Sequence, residues 1–115
     1  PEGVLVFSVE HPVFTAYGTQ DWHRDDKGNI MHFPVDNYFY DGKRNARFLG
    51  EEVVKYHRTL TTYINELLTN GFEILRMVEP TPAPWMLKSM DGMKDELRRP
   101  MMLIVSAAKP NHRGS

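Results

Sequence analysis

Apolar positions gather into a few dense blocks separated by long polar and aromatic stretches. The first block, Gly3-Val4-Leu5-Val6-Phe7-Ser8-Val9, is almost continuous in branched and aromatic residues, the pattern of a strand buried on both faces. Pro12 ends it, because proline brings no backbone donor to a ladder. Residues 13–35 are polar, aromatic and irregular, and Asp26-Lys27-Gly28-Asn29 reads as the turn of a small hairpin or a long loop. Asn37-Tyr38-Phe39-Tyr40 has strand character, Asp41-Gly42 reads as a turn, and residues 44–49 as extended chain. Residues 51–58 carry both helical and strand spacings, and their β-branched content favours extended structure up to His57.

The clearest helix runs over residues 60–70. Leu60, Ile64, Leu67 and Leu68 form an i, i+4, i+7, i+8 stripe, Thr59 supplies a hydroxyl cap, and Gly71 sits where a left-handed terminator is needed. Residues 72–78 follow as a strand with Phe72, Ile74 and Val78 on one buried face. Pro80, Pro82 and Pro84 make residues 80–90 an extended loop, residues 94–99 allow one helical turn, and residues 101–108 form a second buried strand. The tail from Lys109 is polar and expected to fray.

Strand, insertion, helix and strand in series read as a parallel crossover; the last strand has no second helix before it and should return antiparallel. Three strands this apolar need covering layers and further neighbours, so the order predicts the second part of a larger α/β domain. The chain opens at Pro1, immediately before a strand, which fits the same expectation. With 115 residues it holds one domain at most. Its 14 basic residues balance 15 acidic ones for a net charge of -1, which argues against a general nucleic-acid binder. It has no cysteine, which excludes disulfides, thiolate metal sites and a thiol nucleophile. No apolar run is long enough to span a bilayer and no signal-peptide pattern is present, so a soluble cytoplasmic protein is expected.

Several segments carry a resemblance. Gly3-Val4-Leu5-Val6-Phe7-Ser8-Val9-Glu10-His11-Pro12 resembles the fifth strand, and the residues after it, of class I S-adenosylmethionine-dependent methyltransferases of the small-molecule type. Tyr56-His57-Arg58-Thr59-Leu60 through Gly71-Phe72 resembles the approach to the last helix of that fold. Glu79-Pro80 and Lys94-Asp95-Glu96-Leu97-Arg98-Arg99-Pro100 resemble its hairpin between the sixth and seventh strands. The match spans nearly the whole chain and is weakest over residues 13–50. It implies the C-terminal part of a Rossmann-like methyltransferase sheet, its last three strands with the final one antiparallel, and a strand and loop lid inserted. Residues 1–11 would be the buried strand, 12–58 the lid, and 59–115 the helix with two strands. Such enzymes hold the cofactor with a glycine-rich turn after the first strand and an acidic residue ending the second. The chain carries neither. S-adenosylmethionine is thus expected in an intact parent and not on this polypeptide alone, which is expected to be inactive by itself.

Ligands of open α/β sheets sit beyond the carboxyl ends of the parallel strands. That topology gathers Glu10 and His11, His57 with Arg58, and Arg99 on one rim. His11 is the candidate general base, against a strand-end cap. Glu10, Tyr38, His57, Arg58 and Arg99 are candidates for a small-molecule substrate, the arginine forks suiting a carboxylate. The competing readings are ion pairs of His57 and Arg58 with Glu51, Glu52 or Glu79, and of Arg98 or Arg99 with Asp95 and Glu96. Trp22, Tyr38, Phe39 and Tyr40 either line the lid or form its small aromatic core. His11, His23, His32, His57 and His112 lack the paired spacing of a metal-ligand set, so no metal is expected. A free-standing, non-catalytic α+β binding or dimerisation module is the alternative, its open strand edge paired with a second copy or with a missing N-terminal half.

Overall fold

The computed structural model describes residues 3–110. β1 (Gly3–Glu10) leads directly into a one-turn helix, α1 (Pro12–Thr15), with Pro12 at its first position, where no backbone donor is needed. The inserted region then makes two separate ribbons. A short hairpin pairs β2 (His23–Arg24) with β3 (Ile30–His32), and a longer one pairs β4 (Gly42–Phe48) with β5 (Glu51–His57). α2 (Leu60–Thr69), β6 (Glu73–Val78), α3 (Pro84–Ser89), a 3-10 turn (Met93–Leu97) and β7 (Met102–Lys109) complete the chain.

The main sheet has the order β1-β7-β6, with β7 antiparallel to both neighbours. β1 and β6 therefore run parallel on either side of a reversed strand, as the absence of a helix long enough for a second crossover requires. Burial concentrates on the middle strand, where Leu103, Val105 and Ala107 lie on one covered face. β1 departs from its expected burial: Val4, Leu5 and Val6 are 68%, 40% and 63% exposed, because nothing among the described residues covers its faces. Val78 is likewise exposed rather than buried. The radius of gyration, 17.4 Å, exceeds the roughly 13 Å of a compact domain this long.

Local chemistry explains the elements. Thr59 caps α2 through Oγ1, which accepts from the Thr62 amide at 3.2 Å. The helix closes with paired bonds from the Phe72 amide to the Leu67 carbonyl and from the Gly71 amide to the Leu68 carbonyl, with Gly71 at φ 87°. The Asp25–Asn29 turn is held by Asp25 Oδ1, which accepts from the Lys27 and Asn29 amides, both at 2.9 Å.

Two expected elements differ. Residues 37–40 form a turn instead of a strand: Asn37 takes a left-handed φ of 56° and its carbonyl accepts the Tyr40 amide. Asparagine tolerates that conformation, so the aromatic run does not extend. The proline-rich loop contains α3, because Pro84 occupies the first helical position and helps start a helix there. The tail expected to fray from Lys109 begins later, because Lys109 is the last residue of β7 and pairs with Gly3; the rest of that prediction falls on residues 111–115, outside the described residues.

Candidate functional site

β1 and β6 run parallel with β7 between them, and the residues just past their carboxyl ends, His11 and Glu79, meet. His11 is 4% exposed; its amide donates to the Met101 carbonyl at 2.8 Å and its Nε2 lies 2.5 Å from Glu79 Oε2. The other ring nitrogen, Nδ1, accepts from the Val13 amide at 3.1 Å and caps α1. An accepting Nδ1 places the ring proton on Nε2, so the imidazole donates to the carboxylate. Both nitrogens of the candidate base are therefore engaged within the protein. Glu79, the outer partner, keeps its side chain 60% exposed. The strand-end cap and the catalytic candidate are the same residue, and its exposed terminus is Glu79.

The other rim candidates are held by neighbours. Glu10 accepts from Lys55 Nζ at 2.8 Å and from Gln20 Nε2 at 3.3 Å, while Lys55 also donates to Gln20 Oε1 at 2.9 Å. His57, expected to meet an anionic substrate, is fully buried. Its Nε2 donates to the Tyr38 carbonyl at 2.7 Å and its Nδ1 lies 2.7 Å from Thr15 Oγ1. It therefore ties β5 to α1 and to the 37–40 turn, and none of the three suggested glutamates pairs with it. Tyr38 is spent similarly, its hydroxyl accepting the Leu60 amide at 3.1 Å at the start of α2. Arg58, beside them in sequence, is exposed and has no hydrogen-bond or ion-pair partner among the described residues.

Arg99 is the most enclosed of the rim's basic residues, with its side chain 10% exposed. Its Nε and Nη2 donate to the two carboxylate oxygens of Glu96, each at 3.1 Å. Its guanidinium carbon lies 4.3 Å from the Trp22 ring centroid, 4.8 Å from Phe33 and 5.1 Å from Phe14. Arg98 pairs with Asp95 and donates through Nη2 to the Met31 carbonyl at 3.0 Å. Both arginines thus take the local acidic partners expected of them. Together they fasten the β2–β3 hairpin to the connection between β6 and β7. Trp22, Phe14 and Phe33 form the aromatic core of the insertion, whereas Phe39 and Tyr40 are exposed.

Sequence reading missed three features. Arg44 donates to the carbonyls of Ala16, Asn37 and Tyr40 at 2.7–2.9 Å and organises the insertion around itself. His23 and His32 stand opposite each other across the β2–β3 ribbon with ring centroids 4.8 Å apart. They were expected to lack paired spacing, but the Asp25–Asn29 turn brings them together across nine residues. Among the described residues no three ligating side chains converge on a metal position; His112 lies outside those residues. The third feature is an open cleft of about 590 Å³ above the hairpin, floored by Trp22 and Phe33 and carrying Asp21 and Asp36.

The turn after β1 does not suit a cofactor cradle of the glycine-rich kind. It contains no glycine, and the His11 side chain already takes the Val13 amide at the helix start. No helix of the described residues is long and apolar enough to cross a membrane.

This sheet, with a reversed strand between two parallel ones and an inserted hairpin fastened to the connection between β6 and β7, has the fold of the final strands of class I methyltransferases. The chain matches a Listeria monocytogenes crystal structure described as an S-adenosylmethionine-dependent methyltransferase. The two share 57% identity at a TM-score of 0.88 over 96% of this chain and 49% of that one. A Mesorhizobium loti S-adenosylmethionine-dependent methyltransferase structure is 38% identical, with a TM-score of 0.80 over 94% of this chain and 49% of that one. An uncharacterised Haemophilus influenzae protein is 34% identical over 111 residues, 93% of this chain and 42% of the relative. The chain therefore spans about half the length, or less, of the proteins it matches. No protein-family model matches it.

Proposed function

We propose that this chain supplies the acceptor side of an S-adenosylmethionine-dependent methyltransferase acting on a small molecule, and that it does not carry the cofactor-binding motifs. The reading rests on the 57% identity and close superposition with the Listeria structure over 96% of the chain. The site adds two supports. Exposed Glu79 and buried His11 lie at the carboxyl ends of parallel strands, where open α/β sheets bind ligands. The insertion that closes over that rim is fastened by Arg98 and Arg99, as a lid excluding water requires.

In this arrangement the chain's residues bind, orient and enclose the acceptor. His11 acts as a positioning residue: its fixed tautomer directs the Nε2 proton to Glu79 and holds that carboxylate at the rim. Arg58 is the exposed cation available to a ligand, while Glu10, His57, Tyr38 and Arg99 shape the site from behind.

The test is a calorimetric titration of this 115-residue chain with S-adenosylhomocysteine, beside a methyl-transfer assay of the intact protein. Transfer by the intact protein without binding by the chain is the expected pair of results. Tight one-to-one binding by the chain would overturn the placement of the cofactor motifs elsewhere. Absence of transfer to every acceptor offered, with no cofactor binding by the intact protein, would overturn the methyltransferase reading.

The exposed apolar residues of β1 favour a paired strand edge, with a second copy or a further segment of the protein alongside. A mass in light scattering that stays monomeric at every concentration would exclude the second copy.

A further inference from the structure

From the cleft above the β2–β3 hairpin we infer a binding site for an organic ammonium ion, the class of ligand being a protonated or quaternary amine carried on a small apolar body. The inference deepens the methyltransferase reading by naming the acceptor class: a primary, secondary or tertiary amine, held as its ammonium ion, which releases its N–H proton to solvent through the open cleft before the nitrogen lone pair takes the methyl. A quaternary ammonium has no lone pair and would occupy the cleft as a ligand only; the inference rests on the methyltransferase reading only in treating the cleft's occupant as the acceptor.

Three observations converge. The cleft's volume, about 590 Å³, lies in the range of small-molecule sites. Its lining is aromatic, with Tyr17, Trp22 and Phe33, and anionic, with Asp21 and Asp36, and among the described residues it includes no lysine or arginine. Neither carboxylate has an ion-pair partner among the described residues, and their hydrogen bonds there are limited to one from the Asn37 amide to Asp36 Oδ1.

Aromatic faces and unpaired carboxylates around one concavity attract a cation by ring quadrupole and by charge, and repel carboxylates and phosphates. The protein already shows these rings in that use. Arg99 holds its guanidinium over Trp22, Phe33 and Phe14, and Arg98 lies 5.2 Å from the Trp22 ring centroid; Glu96 and Asp95 neutralise them, so no net positive charge from that quarter opposes a further cation. The imidazoles of His23 and His32 border the same cleft and supply hydrogen-bonding groups at its edge. An anionic acceptor, the class suggested by the arginines of the sequence, loses its ground here: Arg98 and Arg99 are both taken by their own acids.

The experiment is a calorimetric titration of the intact protein. The probes are benzyltrimethylammonium, benzoate and benzyl alcohol at one mildly alkaline pH. Saturable binding of the ammonium probe is expected, with benzoate failing to saturate over the same range. The exposed pair Asp21→Asn and Asp36→Asn leaves the fold intact and should weaken the ammonium probe by about fivefold or more, from two partly screened charge contacts. Equal binding of benzoate, no saturation by the ammonium probe, or no weakening in the double variant would overturn the inference. Selective ammonium binding, with no methyl transfer to primary, secondary or tertiary amines, would leave the cleft standing and remove its role as acceptor site.

Discussion

Arg99 offers a direct measure of how the insertion is held to the sheet. Replacing it with Met keeps much of the side chain's length and removes the charge, the bidentate bond to Glu96 and the stacking on three rings. A cation over aromatic faces away from water contributes about 2 kcal/mol. Breaking a fully buried pair costs about 3–5 kcal/mol, but Glu96 retains 22% side-chain exposure and can rehydrate, so its share falls to about 1 kcal/mol. Arg99→Met should therefore destabilise by about 3 kcal/mol. Arg99→Lys keeps the charge but loses the planar fork, and should fall about halfway. Urea denaturation gives the totals, and amide hydrogen exchange shows where the loss appears. Exchange should quicken over residues 22–33, which the two arginines tie to the connection between β6 and β7. An Arg99→Lys variant as stable as wild type would refute the reasoning. So would a destabilised Arg99→Met variant with hairpin amides as protected as before, since the arginine would then support the sheet and not the inserted hairpin.

Other expectations follow from single features. Gly71→Ala should cost about 1 kcal/mol in thermal or urea unfolding, from the left-handed φ of 87° and not from crowding, since an added Cβ would meet only Lys109 Cε at an ordinary 3.7 Å. Hydrogen bonds from the Asn29 amide, then from its side chain, hold the Asp25 carboxyl below its ordinary value of 3.8. A lowered folded value favours the folded turn above 3.8 and loses that support as pH falls through the lower value; NMR shifts of the turn amides should therefore move at a pH below 3.8, and not in Asp25→Asn. Glu79→Gln keeps an acceptor for the His11 proton, so melting should be unchanged while acceptor turnover in the intact protein falls about tenfold or more, the loss appearing in kcat. Unchanged turnover would make the His11–Glu79 contact a strand-end fastening only.

The elements legible in the sequence were those whose signals are local. The Leu60–Leu68 stripe between Thr59 and Gly71 specified α2 with both caps, and the lack of a second long helix specified the reversed β7. The turn at 37–40 was hidden because aromatic composition favours strands, while one left-handed asparagine outweighs it. The helix at Pro84 was hidden because spaced prolines suggest extended chain until one of them occupies a first helical turn. Topology placed these residues toward the carboxyl ends of the strands, but their use depends on distant partners. Nothing near His57 in sequence announces Thr15 Oγ1, and nothing near His11 announces Glu79, 68 residues on.

That dependence also decides the electrostatics. A list of rim residues suggests a basic site, because Arg58, Arg98, Arg99 and Lys55 all project from it. In the folded chain Lys55 meets Glu10, Arg98 meets Asp95 and Arg99 meets Glu96. Each pairing removes the charge that would attract an anion, and the two arginines gain a structural task in return. Among the described residues, the exposed groups left without an opposite charge include Arg58, Arg24 on the hairpin, Glu79 backed by a buried imidazole, and two aspartates on an aromatic floor. Their balance is negative. The partner chemistry of this surface is set by what pairing leaves uncancelled, and that remainder favours a cation.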